Sequence, residues 1–180
     1  MDGMLKKAIL FFGIIISVIT AVGCGKEEGE ADYASVISGL SEDQFYAYAD
    51  LEGNDLPVLL VSDGKYAYEE GIEASIACEV YYIWDGKAER IGKIESAGTA
   101  YPICYDKEGI YAAGGHFVRK YVIDHEKRQL VPAEYAEELF QENGDAVYTY
   151  YDRQVEKQAE DDSYLNGMRE KYEEASVVDF

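Results

Sequence analysis

The chain has 180 residues, with 36 acidic against 16 basic side chains and a net charge of −20. So acidic a surface repels polyanions, which excludes nucleic acid as a partner. Composition is otherwise that of an ordinary globular protein, apart from 17 tyrosines, and no low-complexity tract or strict repeat is present.

The N-terminal region is the most informative. Lys6 and Lys7 precede an uncharged run from Ala8 to Gly23, and Cys24 follows. A basic head, an apolar middle and small residues before a cysteine make a secretory leader. The 16-residue run is short for a bilayer-spanning helix, which needs about 20. Residues 21–24, "AVGC", resemble the lipobox of bacterial lipoproteins, a small or aliphatic triplet before a cysteine. The resemblance implies that residues 1–23 are removed and that Cys24 is acylated. The protein is then expected outside the cell, held on the outer face of the membrane with the lipid bilayer as its first partner. Residues 24–32 read as a polar, glycine-containing tether. Losing the leader removes Asp2, Lys6 and Lys7, one acid and two bases, and leaves a net charge of −21.

Residues 33–155 are expected to form one β-rich domain, and 156–180 an acidic helical segment. Asp32 could cap a first helix running to Leu40, with Tyr33, Val36, Ile37 and Leu40 on one face. Strands follow at 45–51, 57–63 and 73–84. Asp85 and Gly86 signal a hairpin turn, and 87–95 is the returning strand. Residues 99–106 and 109–115 flank a turn at 106–109. Strands at 116–124 and 128–132 flank another at 125–127. The spacing predicts helix at 133–142, with Tyr135, Leu139 and Phe140 inward, then strand at 145–155. A terminal helix over 160–175 is weakened by Gly167. The fold class is α+β: an open antiparallel β-meander with an N-terminal helix and C-terminal helices. Residues 134–180 carry 14 acidic and 4 basic side chains. This is a solvated helical face or a docking surface for a basic protein partner.

One loop suggests a ligand. Residues 46–62, "YAYADLEGNDLPVLLVS", resemble the repeats of integrin-like surface β-propellers and of many Gram-positive lipoproteins, of the FG-GAP and VCBS type. There an Asp-x-Asp-Gly-Asp-Gly loop holds calcium between two strands. The resemblance implies ligands at Asp50, Glu52 and Asn54. Asp55 and Val58, however, replace the turn glycine and the glutamate of that pattern. Calcium takes 6 to 8 oxygens with several carboxylates, so the expectation is a decayed turn, with weak calcium binding at most and otherwise no cofactor. Asp50 capping and Gly53 are expected to hold it. A closed propeller needs more blades than this chain can supply.

No nucleophile elbow, metalloprotease, P-loop or redox motif is present, and catalytic residues are therefore not assigned. His116 and His125 are the two histidines, and a surface hydrolase would draw on His116 and nearby acids. Export permits a disulfide between Cys78 and Cys104. The alternative is two buried thiols acting as small apolar residues. Tyr46 and Tyr48 share one strand face, as do Tyr148 and Tyr150, while Tyr81 and Tyr82 oppose each other. These rings suit sheet packing or a peptide- or glycan-binding stripe. The sequence points to a non-catalytic, membrane-anchored binding or scaffolding lipoprotein. The alternatives are an accessory subunit of an envelope complex and an unrecognised hydrolase.

Overall fold

A computed structural model describes residues 33–152 and 155–180. The first half of that region builds a four-stranded antiparallel sheet. Its strands are β1 (Phe45–Ala49), β2 (Val58–Ser62), β5 (Ala77–Trp84) and β6 (Lys87–Glu95), in the order β1-β2-β5-β6. A small hairpin, β3 (Tyr66–Glu69) and β4 (Ile72–Ala74), is inserted before β5. The second half is an uninterrupted meander. Strands β7 (Cys104–Tyr105), β8 (Ile110–Gly114), β9 (Phe117–Asp124), β10 (Gln129–Phe140), β11 (Ala146–Asp152) and β12 (Glu156–Ala159) lie side by side in chain order. The last strand, β13 (Ser176–Val177), returns to pair with β7 and completes a seven-stranded sheet. Two helices are present among the described residues, α1 (Ala34–Ile37) and α2 (Ser163–Glu174).

Four layers result. The inner faces of the sheets meet in the main core, where Ala47, Leu60, Val80 and Ile94 pack with Ile103, Ile110, Ala112 and Val178. The outer face of the smaller sheet, with Leu59 and Val61, is covered by the α1 segment through Tyr33, Val36 and Ile37. The outer face of the larger sheet, with Tyr111, Val118 and Ala136, is covered by Leu165 and Met168 of α2. This arrangement explains two sequence patterns. β2 and β8 are buried at all five positions, so both read as continuous apolar runs rather than alternations. Each fully buried leucine there contributes about 1.5–3 kcal/mol. At Gly92 a Cβ would lie 2.8 Å from the Leu130 Cβ, so only glycine lets β6 approach β10 this closely.

The α+β class and the open antiparallel meander agree with the sequence reading, as do the turns. Asp85 and Gly86 both take positive φ, 52° and 74°, the backbone of the tight hairpin that "DG" encodes. Several expectations are corrected. Residues 133–140 are strand, not helix, and 141–142 lead into the following turn, so one C-terminal helix exists among the described residues, not two. The segment is rich in helix formers, but β9 and β11 hydrogen-bond it on both edges, and pairing with two neighbours outweighs local propensity. Leu139 and Phe140 consequently face solvent, 50% and 60% exposed. A bulge at Ala133 accommodates Pro132, which cannot donate to the ladder. The run 73–84 breaks at Ser75–Ile76 into β4 and β5, which belong to different sheets. Of residues 99–106 only two are strand. The first helix is a single turn. Segment 156–180 is not simply helical, since β12 and β13 flank α2. Gly167 leaves α2 unbroken. The expected leader, Cys24, the expected tether and Asp32 lie outside the described residues, as do Arg153 and Gln154 of the last expected strand.

Candidate functional site

The 50–57 loop joins β1 to β2, as its resemblance implies, but it is not built as a calcium cage. Leu51, 3% exposed, plugs the main core and anchors the loop. Gly53 turns the chain at φ 82°, and the Asn54 amide donates to the Leu51 carbonyl at 3.4 Å. Asp50 is exposed and makes no hydrogen bond among the described residues, so the expected Asp50 cap is absent. Glu52 also faces solvent. The Asn54 side chain donates back to the Leu51 carbonyl, and its Oδ1 is buried without a partner. Val58 points into the core. No cluster of three metal-ligating carboxylate, histidine or cysteine side chains occurs among the described residues. This donor set does not fit calcium, and no function is drawn through the ion.

What the loop does instead is close one wall of a groove. The Glu52 amide donates to the Lys107 carbonyl at 2.6 Å. That bond ties the loop of the smaller sheet to the β7–β8 turn of the larger one. A groove of about 880 Å³ opens beside it, floored by Val122, Val131 and Pro132 and flanked by Glu52, Lys107, Asp124 and His125. Both charge signs line it.

The β9–β10 turn, which lines the groove through Asp124, His125 and Lys127, meets the β5–β6 turn of the other sheet. Arg128, after the β9–β10 turn, donates to Asp85 of the β5–β6 turn at 2.7 Å and lies over the Trp84 ring at 5.4 Å. The His125 ring meets Trp84 and Tyr82 edge-on, at centroid distances of 5.3 and 5.8 Å. The Trp84 indole N–H is buried and unpartnered. Lys127 and two backbone amides donate to Asp124 and hold its carboxyl below the usual carboxylate range.

The near wall is braced from behind. Lys120, 1% exposed, extends from β9 to Glu108 at 2.6 Å and Asp106 at 3.5 Å. Asp106 also accepts from the Glu108 and Gly109 amides and from the Tyr111 hydroxyl at 2.7 Å. Partial burial opposes its charge, but these donors and the Lys120 ammonium hold its pKa below the usual range. Tyr111 moves the other way, because burial and the Asp106 carboxylate both disfavour its phenolate.

The remaining sequence candidates do not join the groove. His116 is 61% exposed and its Nδ1 lies 2.8 Å from Glu138. The hydrogen bonds from His116 and Tyr148 hold the Glu138 pKa low. Neither histidine contacts a hydroxyl or thiol among the described residues, so no nucleophile–base pair is assembled. Cys78 and Cys104 are both free and buried. They lie in different sheets, Cys78 in the inter-sheet core and Cys104 beneath α2, so no disulfide joins them. Burial pushes the Cys104 thiol up to about 11 and Cys78 higher still. The tyrosines act chiefly as packing. Tyr46 and Tyr48 lie with Tyr33, Tyr135 stacks on Tyr151 at 5.4 Å, and Tyr150 stacks on Tyr164 at 4.3 Å. Tyr81 and Tyr82 face opposite sides, as alternation requires.

Sequence reading did not single out Lys107, Lys120, Trp84 or Asp124, and it treated His125 as a turn residue. The turns "WDG" and "DHEK" were legible, but nothing local says that they meet. Comparison with known proteins finds no matching family model, no matching curated protein and no matching solved structure.

Proposed function

We propose that this chain is an acyl-anchored, non-catalytic binding module of the outer membrane face, with its ligand seated in the groove between the 50–54 loop and the β9–β10 turn. One observation carries the reading. The groove presents an apolar floor, and the side chains of Glu52, Lys107 and His125 around it make no hydrogen bond or ion pair among the described residues. Unpaired charges of both signs around an apolar strip suit a short peptide with an apolar residue between oppositely charged groups. The leader-like N-terminal region and the lipobox-like cysteine support the location. Trp84, the single tryptophan, touches the groove residue His125 and serves as a reporter. Titration of a soluble form beginning at Gly25 with charged, apolar-centred peptides is expected to change its fluorescence saturably. Glu52→Lys and Lys107→Glu should each weaken that response about tenfold, the scale of one charge-assisted hydrogen bond. A flat titration, or steady hydrolysis of the peptides, refutes the reading. Labelled palmitate should enter the full chain and not Cys24→Ser.

The exposed acids of α2 favour a second role. Glu170 and Glu174 face solvent and suit docking of a basic partner, as an accessory subunit would need. Deletion of 156–180 cannot test this, because Leu165, Met168 and β13 are structural. Glu170→Lys with Glu174→Lys is the appropriate variant, and unchanged co-purification of partners would count against the role.

A further inference from the structure

Lysine and arginine are scarce in this chain, and most that are described have a carboxylate within reach. Among the described residues Lys65, Arg90, Lys93, Arg119, Lys120, Lys127, Arg128 and Lys171 are ion-paired. Lys87, Lys107 and Lys157 are unpaired but exposed. Arg169 stands apart. It is half-buried on α2 and forms no direct ion pair, though acids outnumber bases 36 to 16 and Glu138 lies close enough to feel its charge. Its guanidinium donates to the Gly115 carbonyl at 2.6 Å and to Asn166 at 3.2 Å, which leaves further N–H groups uncommitted.

Arg169 lines a separate cavity of about 410 Å³ beneath the C-terminal half of α2. Buried Cys104, Ala113 and Val118 form its floor, and Tyr101 and Tyr172 its sides. Ala100, Tyr68 and Glu173, all exposed, mark its mouth. The Tyr172 hydroxyl is committed to the Pro102 carbonyl at 2.7 Å, beside the Cys104 thiol, and the ring forms a side of the cavity. Gly114 leaves no room for a side chain, since a Cβ there would lie 2.6 Å from the Phe117 ring. Small residues at the floor, aromatic walls and one guanidinium with N–H groups to spare are the elements of a small-molecule site. A planar guanidinium selects a carboxylate. Glu173 and the overall negative charge oppose a second negative group on the ligand.

We propose that this cavity is a second binding site, distinct from the groove, for a small aromatic monocarboxylate whose acid group pairs with Arg169. The probe is 3-phenylpropionate, followed by saturation-transfer NMR and by thermal shift on the soluble form, with 3-phenylpropylamine as the cationic control. The acid should bind saturably and raise the melting temperature, and the amine should do neither. Arg169→Met should weaken acid binding at least about tenfold, the scale of a charge-assisted hydrogen bond, and Arg169→Lys should restore part of it. Ala100→Trp, at an exposed position, should block the mouth without disturbing the fold, so it decides the matter if Arg169→Met fails to fold. Binding should survive Glu52→Lys, which separates this site from the groove. The proposal is overturned if the wild type does not bind the acid, if the amine binds equally, or if binding persists in both Arg169→Met and Ala100→Trp.

Discussion

Lys120 offers the sharpest test of how the two sheets are held in register at the groove. The side chain is 1% exposed, and its ammonium ties β9 to the 106–109 turn through Glu108 and Asp106. That turn supplies the carbonyl on which the 50–54 loop hangs. Lys120→Met keeps most of the buried stem and removes the charge. The two carboxylates it abandons are not deeply buried, 35% and 65% exposed, so water can rehydrate them. The cost is therefore below the 3–5 kcal/mol of a fully buried broken pair, about 1–2 kcal/mol. Lys120→Ala also deletes about three buried methylenes at about 0.8 kcal/mol each, which adds about 2–3 kcal/mol. Chemical denaturation at pH 7 should thus rank wild type, Lys120→Met and Lys120→Ala, with Lys120→Ala melting about 6–20 °C below wild type. Amide exchange at Glu52 should accelerate in both variants, because its acceptor turn is loosened. A Lys120→Met protein as stable as wild type, with Glu52 exchange unchanged, would show that desolvation of the ammonium cancels its pairing and that the brace is idle.

Acid and alkali should act on different groups. Asp106 has a depressed pKa in the fold. Its contribution is therefore present above the unfolded carboxylate value of about 3.9 and is lost as pH falls through the lower folded value, so Asp106→Asn should show a shallower acid limb in urea titrations. Cys104, raised to about 11, keeps its proton in the fold after the unfolded thiol has lost it. Stability should therefore fall as pH rises above about 8.5, and Cys104→Ala with Cys78→Ala should flatten that slope. An intact-mass measurement without reductant should show two free thiols that resist Ellman's reagent until denaturant is added. Leu139→Ser and Phe140→Ser should change stability by less than about 0.5 kcal/mol, whereas an inward-facing helix at 133–142 would lose several times that. Calorimetry with calcium should detect no micromolar binding, and a clear micromolar isotherm would revive the loop as a metal site.

Much of this architecture was legible because short-range chemistry encodes it. "DG" at 85–86 dictates a left-handed pair, β-branched and aromatic runs dictate strands, and the buried pattern of 58–62 follows from an unbroken apolar stretch. Tyr33, Val36, Ile37 and Leu40 packed as their spacing implied, although the helix itself is one turn long. Residues 133–142 misled because Ala, Glu and Leu favour a helix locally, while the two strands that claim the segment lie on either side of it in sequence. The groove escaped for a related reason. Its walls come from residues 51–54, 107–108, 122–125, 127, 131–133 and 151, and no periodicity relates them.

By itself the sequence determined the acidic character and the alternation of strands and tight turns. These depend on composition and on neighbours a few residues apart. Only the tertiary structure decided that the chain divides into two sheets, that Cys78 and Cys104 lie apart, and that the turns at 85–86 and 125–128 meet through Arg128 and Asp85. Each of those outcomes depends on which apolar faces pair across the core, and that choice is made by the summed burial of the whole chain rather than by any one segment.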